Sequence, residues 1–122
     1  MASSILVIDD EPAIIRLVLA ILGSEGYAAR GTTSPVEGLR LLKDIEPDLV
    51  ILDLLMSEMD GRTLFKEARE SGYAGPFLIL SAFGAEIAAA ELAPTASLAK
   101  PFDPADLLAL IAQILSECGA SP

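Results

Sequence analysis

Apolar residues fall in short unbroken runs at 5–8, 49–52 and 77–80, with a weaker run at 97–99, and each run closes on a polar residue. None of the runs alternates between apolar and polar positions. They therefore predict strands covered on both faces, as in a parallel sheet held between helix layers. A fifth segment, 28–32, is less apolar and follows Gly26, which suits an edge strand. Between the runs the period shifts toward 3.6. Pro12 opens a helix whose apolar face, Ile14, Ile15, Val18, Leu19, Ile21 and Leu22, lasts until Gly23 or Gly26. Ser34 as N-cap, Pro35 in the first turn and Glu37 three residues after the cap start a second helix through Leu39, Leu41 and Leu42. Leu64, Phe65 and Ala68 place a third after Gly61, ended by Ser71 and Gly72. An alanine-rich stretch at 85–92 predicts a short helix stopped near Pro94, and Asp103 with Pro104 opens a last one through Leu107, Leu108, Leu110, Ile111, Ile114 and Leu115, ended by Gly119. Strand and helix alternate five times, the pattern of an α/β fold with a parallel sheet.

Composition narrows the function classes. With 122 residues, 52% of them hydrophobic, and no linker, repeat or low-complexity stretch, the chain reads as one domain with one core. Eighteen acidic against eight basic residues give a formal charge of −10, which opposes binding to nucleic acid or to anionic lipid. The absence of histidine excludes His-dependent triads, histidine-ligated zinc and a phosphohistidine within this sequence. Cys118 is the single cysteine, so no internal disulfide forms. No apolar run approaches the ~18 residues of a membrane span, and residues 1–4 lack the basic region of a signal peptide. The expectation is a soluble, cytoplasmic protein with no direct contact to nucleic acid or membrane.

In an open α/β sheet, ligands bind beyond the carboxyl ends of the strands. The runs end in Asp9 and Asp10, Asp53, Ser81 and Lys100, and right-handed crossovers bring all those ends to one edge. Three carboxylates gathered there raise one another's pKa unless a cation intervenes. Lys100 offsets one charge, and the remainder suits a hard divalent ion such as Mg²⁺. A phosphoryl group could then be held by Mg²⁺, Lys100 and Ser81 while a carboxylate attacks in line, giving an aspartyl phosphate. Each residue also has a plainer reading. Asp9, Asp10 and Glu11 precede a helix start, where acidic residues are favoured anyway. Ser81 could cap a helix, and Lys100 could lie on the surface with its stem on apolar neighbours. Asp103 reads as a cap, Glu67, Glu70, Glu86 and Glu91 as solvated helix faces, and Cys118 as incidental.

Four motifs in order carry a family likeness: Leu6-Val7-Ile8-Asp9-Asp10-Glu11-Pro12; residues 48–56 around Asp53, with Met59-Asp60-Gly61; Leu80-Ser81-Ala82; and Lys100-Pro101-Phe102-Asp103. They resemble a response-regulator receiver domain, the phosphoacceptor half of bacterial two-component signalling, over residues 5–117. The resemblance implies a flavodoxin-like (βα)5 fold, a doubly wound parallel five-stranded sheet in the order 2-1-3-4-5. It implies Asp53 as phosphoacceptor and metal ligand, Asp10 as a direct metal ligand, Asp9 holding the metal largely through water, and the Leu55 backbone carbonyl completing the protein's share of the Mg²⁺ coordination. Ser81 would donate its hydroxyl to a phosphoryl oxygen, and Lys100 would pair with the phosphoryl group, and with Asp53 before it. Ala82 leaves room for the donor, and the bond from Lys100 to Pro101 is usually cis in the family. The donor implied is a histidine kinase or histidine phosphotransfer protein acting in trans. The chain would be a regulatory phosphoacceptor that assists its own phosphorylation and dephosphorylation rather than an enzyme with a separate substrate.

Phosphorylation would change a docking and dimerisation face formed by the helix at 85–92, the strand at 97–99 and the helix after Pro104, with a target protein or output domain that the sequence does not specify. Two positions depart from the family. Ser97 stands three before Lys100, where an aromatic switch residue is common, with Phe83 the nearest substitute; Ser57 stands where proline is frequent. The first departure leaves open a receiver-like interaction module working without phosphorylation. A hydrolase of the haloacid dehalogenase type would need Asp-x-Asp on the first strand and a cap insertion, whereas this chain has Asp9-Asp10-Glu11.

Overall fold

Strand residues alternate between two buried layers, and that alternation organises the core. Ile5, Val7, Leu49, Ile51, Leu78 and Leu80 share one cluster with Ile15, Val18, Leu22, Leu107, Ile111, Ile114 and Leu115. Leu6, Ile8, Val50, Leu52, Phe77 and Ile79 share the other with Leu41, Leu42, Leu64, Phe65 and Ala68. Because both faces of every central strand are covered, the runs carry no polar positions, as the sequence pattern required.

The computed structural model describes residues 3–54, 56, 59–81 and 96–117. Five strands, β1 (Ser4–Ile8), β2 (Ala28–Thr32), β3 (Leu49–Asp53), β4 (Phe77–Ser81) and β5 (Ala96–Ala99), pair in parallel in the order β2-β1-β3-β4-β5. The described helices are α1 (Pro12–Ser24), α2 (Pro35–Ile45), α3 (Gly61–Glu70) and α4 (Pro104–Glu117). Helices α1 and α4 cover one face, α2 and α3 the other. This is the expected doubly wound, flavodoxin-like sheet, with segment 28–32 on the edge. Strands β1 and β5 each begin one residue before their apolar runs, at Ser4 and Ala96. Ser4 is drawn into β1 by its neighbours, pairing with Ala28 while its N–H donates to Asp48 Oδ2 at 2.8 Å. The helix expected at 85–92 lies outside the described residues. No helix among the described residues is long and apolar enough to cross a membrane.

The helix starts follow from local chemistry. Ser34 Oγ accepts from the Glu37 N–H at 3.2 Å, Asp60 Oδ1 from Arg62 N–H at 2.8 Å and Asp103 Oδ1 from Ala105 N–H at 2.8 Å. Each supplies an acceptor to an N–H group that the helix itself leaves unpaired, which stabilises by about 1 kcal/mol. Proline in the first turn of α1 and α2 removes one such donor at no cost.

Candidate functional site

Strand register brings the polar ends together. Ile8 pairs with Leu52, so the next residues, Asp9 and Asp53, stand level on neighbouring strands. Leu80 pairs with Asp53 and Ser81 with Ala99, which sets Ser81 and Lys100 one step further along the same edge. Alternation adds a second constraint. Asp9 and Asp53 continue the rows of Ile5 and Val7 and of Leu49 and Ile51, and Lys100 continues that of Ala96 and Leu98, all of them in or against the layer under α1 and α4. The loop from Lys100 contains a cis bond to Pro101, as the resemblance implies.

Asp9, Asp10 and Asp53 each offer a carboxylate oxygen within 4.8 Å of the others. Asp9 is 1% exposed and Asp53 3%, while Asp10 is half-buried. Lys100 Nζ donates to Asp9 Oδ2 at 2.8 Å and lies 3.4 Å from Asp53 Oδ2 and 3.6 Å from Glu11 Oε1. The other Asp9 oxygen, Oδ1, accepts from the Glu11 N–H at 3.0 Å. Burial pulls the Lys100 pKa down, but the hydrogen bond to Asp9 and the charges of Asp53, Asp9 and Glu11 outweigh it and hold the ammonium above its usual range. One cation is thus spread over three carboxylates, in a site where Asp9 and Asp53 have almost no water to solvate them. Hard oxygen donors in excess over cations, converging from the end of β3 and the loop after β1, fit Mg²⁺ rather than a softer metal.

The plainer reading of Lys100 fails, since only 12% of its side chain is exposed and its nitrogen turns inward. Glu11 stands at the N-cap of α1, where the helix dipole favours an acidic residue, but its side chain makes no capping bond. Glu67 and Glu70 are exposed, as expected of solvated faces. The backbone of Ser81 ends β4 at the expected place. Its hydroxyl, the Leu55 carbonyl, Ser57, Ala82 and Phe83 lie outside the described part of the molecule. Ser97 is half-buried in β5, paired in register with Ile79.

Two features were not legible from motif chemistry. The contact of Glu11 with Lys100 is one, although glutamate at a position that favours Ser, Thr, Asp or Asn is an available signal. The other is Gly61, whose N–H donates to the Leu54 carbonyl at 3.0 Å. A Cβ built there would stand 2.6 Å from the Asp53 carbonyl oxygen and 2.6 Å from Leu54 Cα, both backbone atoms with no freedom to yield. The start of α3 therefore presses on the residue that carries the central carboxylate. Gly61→Ala is expected to lower stability by about 2 kcal/mol in urea denaturation, the usual scale of overpacking, through displacement of the end of β3. An unchanged midpoint would mean that the contact relaxes without strain.

Comparison with known proteins agrees with this fold. Residues 5–112 match the model of the response regulator receiver domain family. The chain is 40% identical over 102 residues to the transcriptional regulatory protein GlrR of Escherichia coli K12, covering 81% of this chain and 23% of that one. It is 31% identical to the alkaline phosphatase synthesis transcriptional regulatory protein PhoP of Bacillus subtilis, covering 94% of this chain and 49% of the relative. The chain thus spans half the length of these relatives or less. Among solved structures, chemotaxis protein CheY4 of Vibrio cholerae superposes with a TM-score of 0.87 at 27% identity, covering 94% of this chain and all of its own. Sequence, sheet order and superposition agree: the chain belongs to the response-regulator receiver domains of two-component systems.

Proposed function

We propose that this domain is a phosphorylation-controlled switch in which Asp53 accepts a phosphoryl group in a Mg²⁺-dependent reaction. The observation that supports it most is the Lys100 ammonium 2.8 Å from Asp9 and 3.4 Å from Asp53, 91 residues away from the first in sequence. A buried lysine shared by two buried carboxylates is a poor investment for stability alone, because desolvation of the three charges offsets most of their attraction.

In this reading an Asp53 carboxylate oxygen attacks phosphorus in line. The new O–P bond forms as the P–N bond of a donor phosphohistidine breaks, and the electron pair returns to the imidazole. Asp9, Asp10, Asp53 and the Leu55 carbonyl would hold Mg²⁺, which neutralises charge on the transferring oxygens when bound. Lys100 supplies a second cation beside the acceptor, and Ser81 a hydroxyl donor. Exclusion of water from Asp53, 3% exposed, strengthens both interactions. The donor is a histidine kinase or histidine phosphotransfer protein, since this sequence has no histidine. Once phosphorylated, the domain alters its docking surface toward a target protein or output domain.

The reading is tested by incubating the chain with a small phosphodonor. Intact mass is expected to rise by one phosphoryl group with Mg²⁺ present, to stay unchanged with EDTA, and to return to its starting value at alkaline pH, where acyl phosphates hydrolyse. No gain with Mg²⁺ overturns it.

A further inference from the structure

Three of the four described helices are capped by a side-chain oxygen of the N-cap residue or its equivalent, Ser34, Asp60 and Asp103. Helix α1 is the exception: Glu11 stands at its N-cap with extended backbone, φ −96° and ψ 109°, and makes no side-chain cap bond. Its carboxylate reaches the other way, to 3.6 Å from Lys100 Nζ, while its own N–H is held by Asp9 Oδ1 at 3.0 Å. Backbone and side chain of Glu11 thus both engage the Asp9–Lys100 pair.

That placement bears on a conflict within the site. A divalent ion drawn to Asp9, Asp10 and Asp53 repels the ammonium already seated on Asp9 and Asp53 and competes with it for their oxygens. Among the described residues, Glu11 is the one other carboxylate within 4 Å of Lys100, and at 61% exposure it lies on the solvent side of it. An open cleft of about 370 Å³, lined by Glu11, Ile14, Leu17, Lys100, Pro101 and Phe102, borders the pair. The flexible lysine stem can follow Glu11 outward there without displacing packed side chains.

We infer that Glu11 is a positioning residue that takes over Lys100 when Mg²⁺ enters, keeping the ammonium beside Asp53 but off the metal-binding oxygens. The inference rests on the proposed function, because it presupposes a metal at the three aspartates.

Calorimetric titration of the unphosphorylated chain with MgCl₂ tests it through a double-mutant cycle. Glu11→Gln is expected to weaken Mg²⁺ binding about threefold to fivefold, the scale of a partly exposed ion pair. In a Lys100→Met background the same change is expected to have no measurable effect. Glu11→Asp keeps the charge but shortens the reach and favours capping, so it should bind Mg²⁺ as weakly as Glu11→Gln while melting no lower than wild type. Equal weakening by Glu11→Gln in both backgrounds would reduce Glu11 to one more negative charge and overturn the inference, as would no weakening in either, or wild-type affinity in Glu11→Asp. Absence of any Mg²⁺ binding by the wild-type chain would instead bring down the proposed function, and this inference with it.

Discussion

Asp53→Asn is expected to take up no phosphoryl group and, in metal-free buffer, to be more stable than the wild type by about 1 to 2 kcal/mol. The two effects have one cause. The amide has the shape of the carboxylate but no anionic oxygen to attack phosphorus, so incorporation stops outright rather than slowing. It also removes one of three carboxylates whose ligand atoms lie within 4.8 Å, at a position 3% exposed. Lys100 loses a partner at 3.4 Å but keeps the shorter contact of 2.8 Å to Asp9. Repulsion relieved therefore exceeds attraction lost. Millimolar Mg²⁺ should narrow the gap, because an ion that binds only the folded wild type adds stability by mass action. Urea denaturation in EDTA and in Mg²⁺ reads both signs. A variant less stable than wild type in EDTA would mark Asp53 as half of a structural ion pair and remove the reason for regarding the cluster as a site kept at the expense of stability.

Legibility in the sequence followed the physics of each element. The runs at 49–52 and 77–80 could be read as strands because both their faces are buried, and buried strands admit only apolar residues. Ser34, Pro35 and Glu37 announced α2 because capping is a local interaction settled within four residues. Asp9, Asp53 and Lys100 could be assigned to one edge because parallel crossovers leave no other arrangement. Distances could not be read in this way. That Lys100 sits on Asp9 more closely than on Asp53, and that Glu11 turns from its own helix toward that lysine, depends on side-chain reach across elements, which no periodicity encodes. Gly61 was legible as a helix start but not as a contact with the backbone of Asp53 and Leu54, since close approach of two backbones leaves no trace beyond the glycine itself.

Lys100→Met should have the opposite sign from Asp53→Asn and a larger size, a loss of about 3 kcal/mol in metal-free buffer at neutral pH. Methionine preserves most of the stem, so the cavity contribution is small. What remains is Asp9, 1% exposed, and Asp53, 3% exposed, facing each other with their shared cation gone. The alkaline limb distinguishes this charge effect from lost packing. The folded-state pKa of Lys100 is raised above 10.5, chiefly because the Asp9 hydrogen bond and neighbouring carboxylates outweigh desolvation. A group whose pKa is raised on folding contributes stability that is fully present below its unfolded value and lost as pH climbs through the folded one. The difference between wild type and Lys100→Met should therefore stay constant from neutrality to about pH 9 and close only above 10.5, as the wild-type ammonium deprotonates. A packing defect would leave the difference unchanged across that range. Mg²⁺ supplies the complementary control: an ion seated among the three carboxylates replaces the missing positive charge, so the variant should recover more stability from Mg²⁺ than the wild type does. If its deficit is instead insensitive to both pH and Mg²⁺, Lys100 holds the sheet edge through its stem, and the electrostatic reading of the site loses its central cation.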